Sequence, residues 1–250
     1  MPEICYSKNF LKQVIAKVEF AQPLTDLSDE SLLAAVKKIK KRFRISEQKV
    51  ASFREIEISE AIKHSKTEFP EWNFHSDDRE KSLKINQHFI QILLKKYRTE
   101  DNFEKDLITP ISSIISTRPS TLVSRTGIRF VNVFDFDKLS NFNSIKGYFS
   151  DSIVCPITSI NDHQKSIRSF LINEFMEGDI KWRVQTGYFN PDYPALIKKH
   201  HFVIDIDAFI DFPHSISDVG QYFGSFHKII QATFESLITD KLRDEVLNAE

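Results

Sequence analysis

Residues 122–136 read LVSRTGIRFVNVFDF. In that stretch Ile128, Phe130, Asn132 and Phe134 alternate with Arg129, Val131 and Val133. A period of two is the mark of a strand with one face buried and one face wet. The same pattern opens the chain, where Val14, Ala16, Val18 and Phe20 alternate with Lys17 and Glu19. Beyond it the spacing predicts three more strands, Ile167–Met176, Ile180–Tyr188 and Lys199–Ile206. Glu177-Gly178-Asp179 makes a tight hairpin turn between the first two, and the longer Asn190–Pro194 loop joins the second to the third. Short connections of this kind imply antiparallel neighbours.

Helical spacing fills the intervals. Ser28 reads as an N-cap, with Asp29 and Glu30 in the first turn of a helix that runs to about Phe43. Its apolar stripe is Leu32, Val36, Ile39 and Phe43. A second helix is expected over about Asp101–Ile115, with Phe103, Leu107, Ile111 and Ile114 inward and a kink at Pro110. Phe53–Ile58 reads as a short strand, and Phe69–Phe74 as an edge strand because it contains Pro70. After a turn at His75–Asp78, Ser82–Tyr97 reads as one long strand. Residues 140–152 look like a connector. A last amphipathic helix begins near Ser217 and runs toward Leu247, with Thr239-Asp240 as the place where it would break and re-cap.

The expected fold is α+β: mainly antiparallel sheet, packing helices and a long C-terminal amphipathic helix. The expected organisation is an N-terminal α+β half over 1–137, a connector over 138–166, and a β-meander plus helix over 167–250. The two halves are separate or form one continuous domain.

Composition bounds the function classes. Twenty-two Phe stand against six Gly among 250 residues. So few Gly argue against a glycine-rich phosphate loop. The formal net charge of -1 gives no overall field toward nucleic acid or membrane. Two cysteines, Cys5 and Cys155, build neither a disulfide framework nor a Cys-rich zinc site, and fit a reducing cytoplasm. Met1–Cys5 lacks the basic and apolar regions of a signal peptide, and no apolar run is long enough to span a membrane. No nucleophile elbow, zinc-protease helix or calcium-loop spacing occurs, and no cofactor is predicted.

Five candidates remain. Arg125 and Arg129 share a strand face and either clamp a carboxylate or phosphate or form structural ion pairs. Asn132 falls among Phe130 and Phe134, so its amide needs partners if buried. His227 sits in the last helix beside Phe226, as a hydrogen-bonded packing residue or a ligand contact. Lys37, Lys38, Lys40, Lys41, Arg42 and Arg44 form the densest positive run, a solvated helix face or a phosphate-binding patch. Asp205 and Asp207 lie on one strand face, as candidates for a divalent metal or as a polar strand end.

Three segments carry a family resemblance: Tyr6, Asn9, Phe10, Leu11, Val14 and Phe20; Arg125-x-Gly127-x-Arg129-Phe130-x-Asn132; and Asp205-x-Asp207 through Phe226-His227 and Phe234 to Ile238-Thr239-Asp240-Lys241-Leu242-Arg243. In these the chain resembles a sporadically distributed, functionally uncharacterised prokaryotic family of similar length. The resemblance implies a cytosolic protein in a gene pattern typical of mobile or defence-associated genes, and brings no catalytic residue with it. The leading expectation is a non-enzymatic interaction or regulatory partner, in a defence or toxin-antitoxin-like module, whose partner is another protein or a second copy. One alternative is a nucleic-acid- or nucleotide-binding module using Arg125, Arg129 and the Lys37–Arg44 face. The other is a metal-dependent hydrolase using Asp205 and Asp207.

Overall fold

The computed structural model describes residues 6–25, 27, 35, 37–58, 62–97, 104–116, 118–135, 145–161, 165–197 and 201–248. Its frame is one antiparallel sheet. In chain order the strands are β1 (Leu11–Phe20), β2 (Ile45–Ile58), β3 (Ile62–His75), β4 (Lys81–Asn86), β5 (Phe89–Leu94), β6 (Leu122–Asp135), β7 (Ser169–Glu177), β8 (Ile180–Phe189), β9 (His201–Ile210) and the short β10 (His214–Ser215). Across the sheet they run β2-β3-β4-β5-β1-β6-β9-β8-β7, with β10 on β6. Every pairing between these strands is antiparallel. The chain is α+β, as the alternation predicts. β6 pairs β1 on one side and β9 on the other, so a single sheet spans both expected halves.

One face of the sheet carries the core. Val14, Ala16 and Val18 on β1, Ile90 and Ile92 on β5, Ile128 and Phe134 on β6, and Ile204 and Ile206 on β9 are all buried there. The helices that accompany the sheet include α1 (Thr109–Ile115), α2 (Asp151–Thr158), α3 (Val219–Leu237) and the single turn α4 (Asp240–Leu242). Phe223, Phe226 and Ile230 of α3 are buried, and α3 packs on β6 and β9. The abundant Phe has a structural use. Phe10 stacks on Phe134 at 4.9 Å, Phe134 meets Phe149 edge-on at 5.0 Å, and Phe149 stacks on Phe202 at 4.4 Å. These rings tie the start of the chain, β6, the segment before α2 and β9 into one apolar layer.

Several expectations are corrected. Ser82–Tyr97 is a hairpin, β4 and β5, not one strand. The turn between them contains no glycine, which hid it. Instead the Asn86 Oδ1 accepts hydrogen bonds from the amides of His88 (2.8 Å) and Phe89 (3.0 Å), an Asx turn that closes the loop. The connector expected over 138–166 contains α2, capped by Ser150, whose side chain accepts from the Ser152 amide. Pro156 inside α2 masked it, although Ile153, Val154 and Ile157 are buried at helical spacing. The strands expected at Phe53–Ile58 and Phe69–Phe74 are parts of longer ones, β2 and β3. Pro70 is tolerated because β4 pairs with β3 only from Glu71 onward.

The second helix enters as a π-helical turn over Glu104–Ile108 and becomes α1 at Thr109, one residue before Pro110. Leu107, Ile111 and Ile114 are buried as expected. Asp101 and Phe103 lie outside the described residues, as do Ser28, Asp29, Glu30, Leu32 and Val36 of the first helix. The last helix does not reach Leu247. It ends at Leu237, Ile238 is extended, and the Thr239 side chain accepts from the Leu242 amide to start α4, the break expected at Thr239-Asp240. The break is held from outside, by Ser150 N donating to Leu237 O (2.9 Å) and Thr239 N to Tyr148 O (3.1 Å).

Candidate functional site

β6 presents its candidate residues to two different environments, because successive side chains leave a strand on opposite faces. On the outer face Arg129 makes a two-pronged contact with Asp205, through Nε to Oδ1 at 2.8 Å and through Nη2 to Oδ2. Arg125 donates to Asp207 at 3.1 Å and lies over the Phe209 ring at 4.4 Å. The two arginines therefore meet the two carboxylates once considered for metal. Each set compensates the charge of the other, so the outer face joins β6 to β9 by structural ion pairs. Burial pushes the Asp207 carboxyl above its usual range, against the pull of Arg125. Among the described residues no group of three or more His, Cys, Asp or Glu is placed to hold a metal ion.

The basic run is divided as well. Lys37, Lys38, Lys40 and Lys41 are exposed. Arg42 is bound to the fully buried Asp106, and Arg44 donates to Asp77 at 3.0 Å. None of the six lines the cavity described next.

On the inner face Asn132 and His227 come together. They line a cavity of about 130 Å³ between β6 and α3. Helix α3 contributes His227, Ile230, Gln231, Phe234 and Glu235, the i, i+3, i+4, i+7, i+8 positions of one helical face. Phe130 and Asn132 form the floor, Tyr97 enters from beyond β5, and Tyr6, Asn9 and Phe10 close the side. The Tyr97 hydroxyl and His227 Nε2 are 3.1 Å apart. Phe130 meets Tyr97 and His227 edge-on, at 5.4 and 5.9 Å between ring centres. Asn132 is 8% exposed, and its amide nitrogen makes a long 3.4 Å bond to Ile204 O.

Both ends of the described chain are sewn over this cavity. Asn9 bonds the Tyr97 carbonyl, and Lys8 N donates to Leu247 O at 2.8 Å. The Tyr6 hydroxyl donates to the Glu235 carboxylate at 2.7 Å, and Arg243 donates to the same carboxylate at 3.0 Å and to the Glu235 carbonyl at 2.8 Å. Burial, and then the bond to Glu235, raise the Tyr6 phenol to about 12. The raised value means that the folded state favours the neutral phenol. That contribution is complete below pH ~10, the value of an unfolded tyrosine, and is lost as pH rises through about 12. Wild-type stability should therefore fall more steeply than that of Tyr6→Phe between pH 10 and 12 in urea titrations. Parallel curves would remove the Tyr6–Glu235 bond from the account.

No protein-family model and no curated protein matches this chain. Among the described residues the lining carries no serine, threonine or cysteine, the hydroxyl and thiol nucleophiles of acyl transfer. It offers aromatic walls and a few fixed amide, imidazole and phenol groups, the composition of a site that holds a small molecule. Of the four residues marked for ligand binding in the sequence, Asn132 and His227 converge here, and Arg125 and Arg129 lie across the sheet. Tyr97, Gln231 and Glu235 were not marked. The helical spacing from His227 would have found Gln231 and Glu235; nothing local to Tyr97 announces it.

Proposed function

We propose that this chain is a non-enzymatic regulatory protein that takes a small, flat, largely apolar molecule into the cavity between β6 and α3. The observation that carries this reading is the meeting of Asn132, His227 and Tyr97, from three separate elements, inside a wall of aromatic rings. A cavity of about 130 Å³ is close in size to apolar cavities that admit a single six-membered ring. The rings of Phe130 and Tyr97 supply apolar contact, and the Asn132 amide and His227 imidazole supply the hydrogen bonds that fix orientation. The site lies under both ends of the described chain, so an occupant would tighten the contacts that Tyr6, Asn9 and Leu247 make over it. That is how a bound molecule would be reported to a partner protein. Service in a defence or toxin-antitoxin-like module rests on the family resemblance alone.

The apolar stripe of α3 does not favour the helix itself as the partner surface, because Phe223, Phe226 and Ile230 are consumed by the chain's own sheet. The paired charges of the outer face likewise lend little to phosphate binding.

Ligand-observed NMR with a library of single-ring heterocycles tests the reading. Hits should bind the wild type and lose roughly tenfold or more in affinity in Asn132→Leu, which leaves the cavity polar groups incomplete. Gln231→Trp, which fills the space, should abolish them. A library without hits, or hits that both variants retain, would sink the proposal.

A further inference from the structure

We infer that the chain forms a two-fold homodimer by antiparallel pairing of β7 with the β7 of a second copy. β7 ends the strand order, and among the described residues no strand pairs with its outer edge. All six residues from Ile172 to Glu177 are exposed. They include Ile172 at 55%, Phe175 at 45% and Met176 at 68% exposure. Natural edge strands are guarded by charged side chains, lysine above all, by proline or by a bulge; here Glu174 is tied to Arg183 of its own chain and Glu177 lies at the strand's end. Ser169–Glu177 contains neither lysine nor proline, and its register against β8 is unbroken.

The exposed apolar surface is concentrated around this edge. Of the ten large hydrophobic residues that are exposed among the described ones, eight lie between residues 160 and 196. They sit on β7, at the end of β8 and in the adjoining segments. A soluble chain that gathers its exposed apolar side chains at one unpaired edge presents an interface.

The sequence of β7 selects a second copy as the occupant. A two-fold axis perpendicular to the sheet keeps inner side chains opposite inner ones, so residues of equal parity must pair. All nine residues pair only when Asn173, the middle residue, lies on the axis. In that register Leu171 faces Phe175 of the other copy, Phe170 faces Met176, and the two Asn173 amides face each other. Glu174 faces Ile172 and Glu177 faces Ser169, so no carboxylate meets a carboxylate. A shift by one residue would put Glu174 opposite Glu174. The Glu174 carboxylate is already bound by Arg183 at 2.6 Å within its own chain. Cross-strand pairs of these kinds are what stabilise sheet edges.

Sedimentation velocity on the full chain across a hundredfold range of concentration tests this. The wild type should show a reversible dimer. Asn173→Lys/Met176→Lys should weaken it by roughly tenfold or more, because each substitution acts twice at a two-fold axis and two lysines meet on it. Both positions are exposed, so the variant should keep the wild-type melting temperature when monomeric. Ile172→Lys places its cation opposite Glu174 of the other copy and should leave the dimer intact or strengthen it. A wild type that stays monomeric overturns the inference. So does a dimer that the double substitution leaves unchanged, or one that Ile172→Lys breaks as readily.

Discussion

Replacing Asp106 by alanine should cost about 3 kcal/mol of stability, the range for removing one partner of a buried ion pair. Asp106 is fully buried in the π-helical turn before α1. Arg42 and Lys81 both bind its carboxylate. One carboxylate therefore joins three parts of the N-terminal half: the end of the first helix, the start of β4 and the entry to α1. Alanine leaves two cations facing each other, with a cavity between them, and water reaches each only in part. The guanidinium and ammonium are 37% and 25% exposed at the side chain, which keeps the cost near the lower end of that range. Asp77→Ala is the control. Its partner Arg44 is 67% exposed, and the loss there should stay below ~1 kcal/mol. Urea unfolding of the three proteins reads the difference. If Asp106→Ala falls no further than Asp77→Ala, the three-way tie contributes nothing.

Gly187→Ala should have a comparable effect at the other end of the sheet. Gly187 sits inside β8, paired with Phe170 on β7 and Val203 on β9. Its φ is +147°, a conformation that side chains rarely adopt. A Cβ there would come within 2.0 Å of the Ser169 carbonyl oxygen and 2.9 Å of the Phe170 Cα. Backbone atoms of a neighbouring strand cannot step aside as a flexible side chain can. The strain and the forced separation of β7 from β8 together should cost about 3 kcal/mol. Gly178→Ala, in the hairpin turn, also has a positive φ, of +57°, but meets open space and should lose only about 1 kcal/mol. Thermal melts compare the two. Amide exchange along Ser169–Glu177 shows whether β7 loosens. Equal melting temperatures for the two variants would mean that the close approach at Gly187 is relieved cheaply. Because β7 is also the proposed dimer edge, Gly187→Ala should weaken association as well.

Much of the fold is legible because strands and helices declare themselves by spacing. The alternation in β1 and in the second half of β6 appears in the sequence and in the burial of the folded chain. The break of the last helix at Thr239 was legible from an N-cap residue at the right place. The hairpin at Asn86 was not, because an Asx turn uses a side chain where most tight turns use glycine. Helix α2 was not, because proline in a short helix reads as a breaker until a buried face is seen.

The candidate site divides the same way. Asn132 was marked by a local inconsistency, a polar residue on an apolar strand face, and that inconsistency is a property of the sequence alone. Arg125, Arg129, Asp205 and Asp207 were marked by type, but type does not tell a ligand clamp from a partner. The register of β6 against β9 set that, by bringing each arginine to a carboxylate. By itself the sequence determined the α+β class, the antiparallel meander and the amphipathic helix, since each depends on neighbours within a few residues. The tertiary structure alone decided that β6 and β9 share a sheet, that Tyr97 reaches His227 across 130 positions, and that both ends of the described chain close over one cavity. Those outcomes depend on contacts between residues far apart in the chain, and no local period encodes which distant segments will meet.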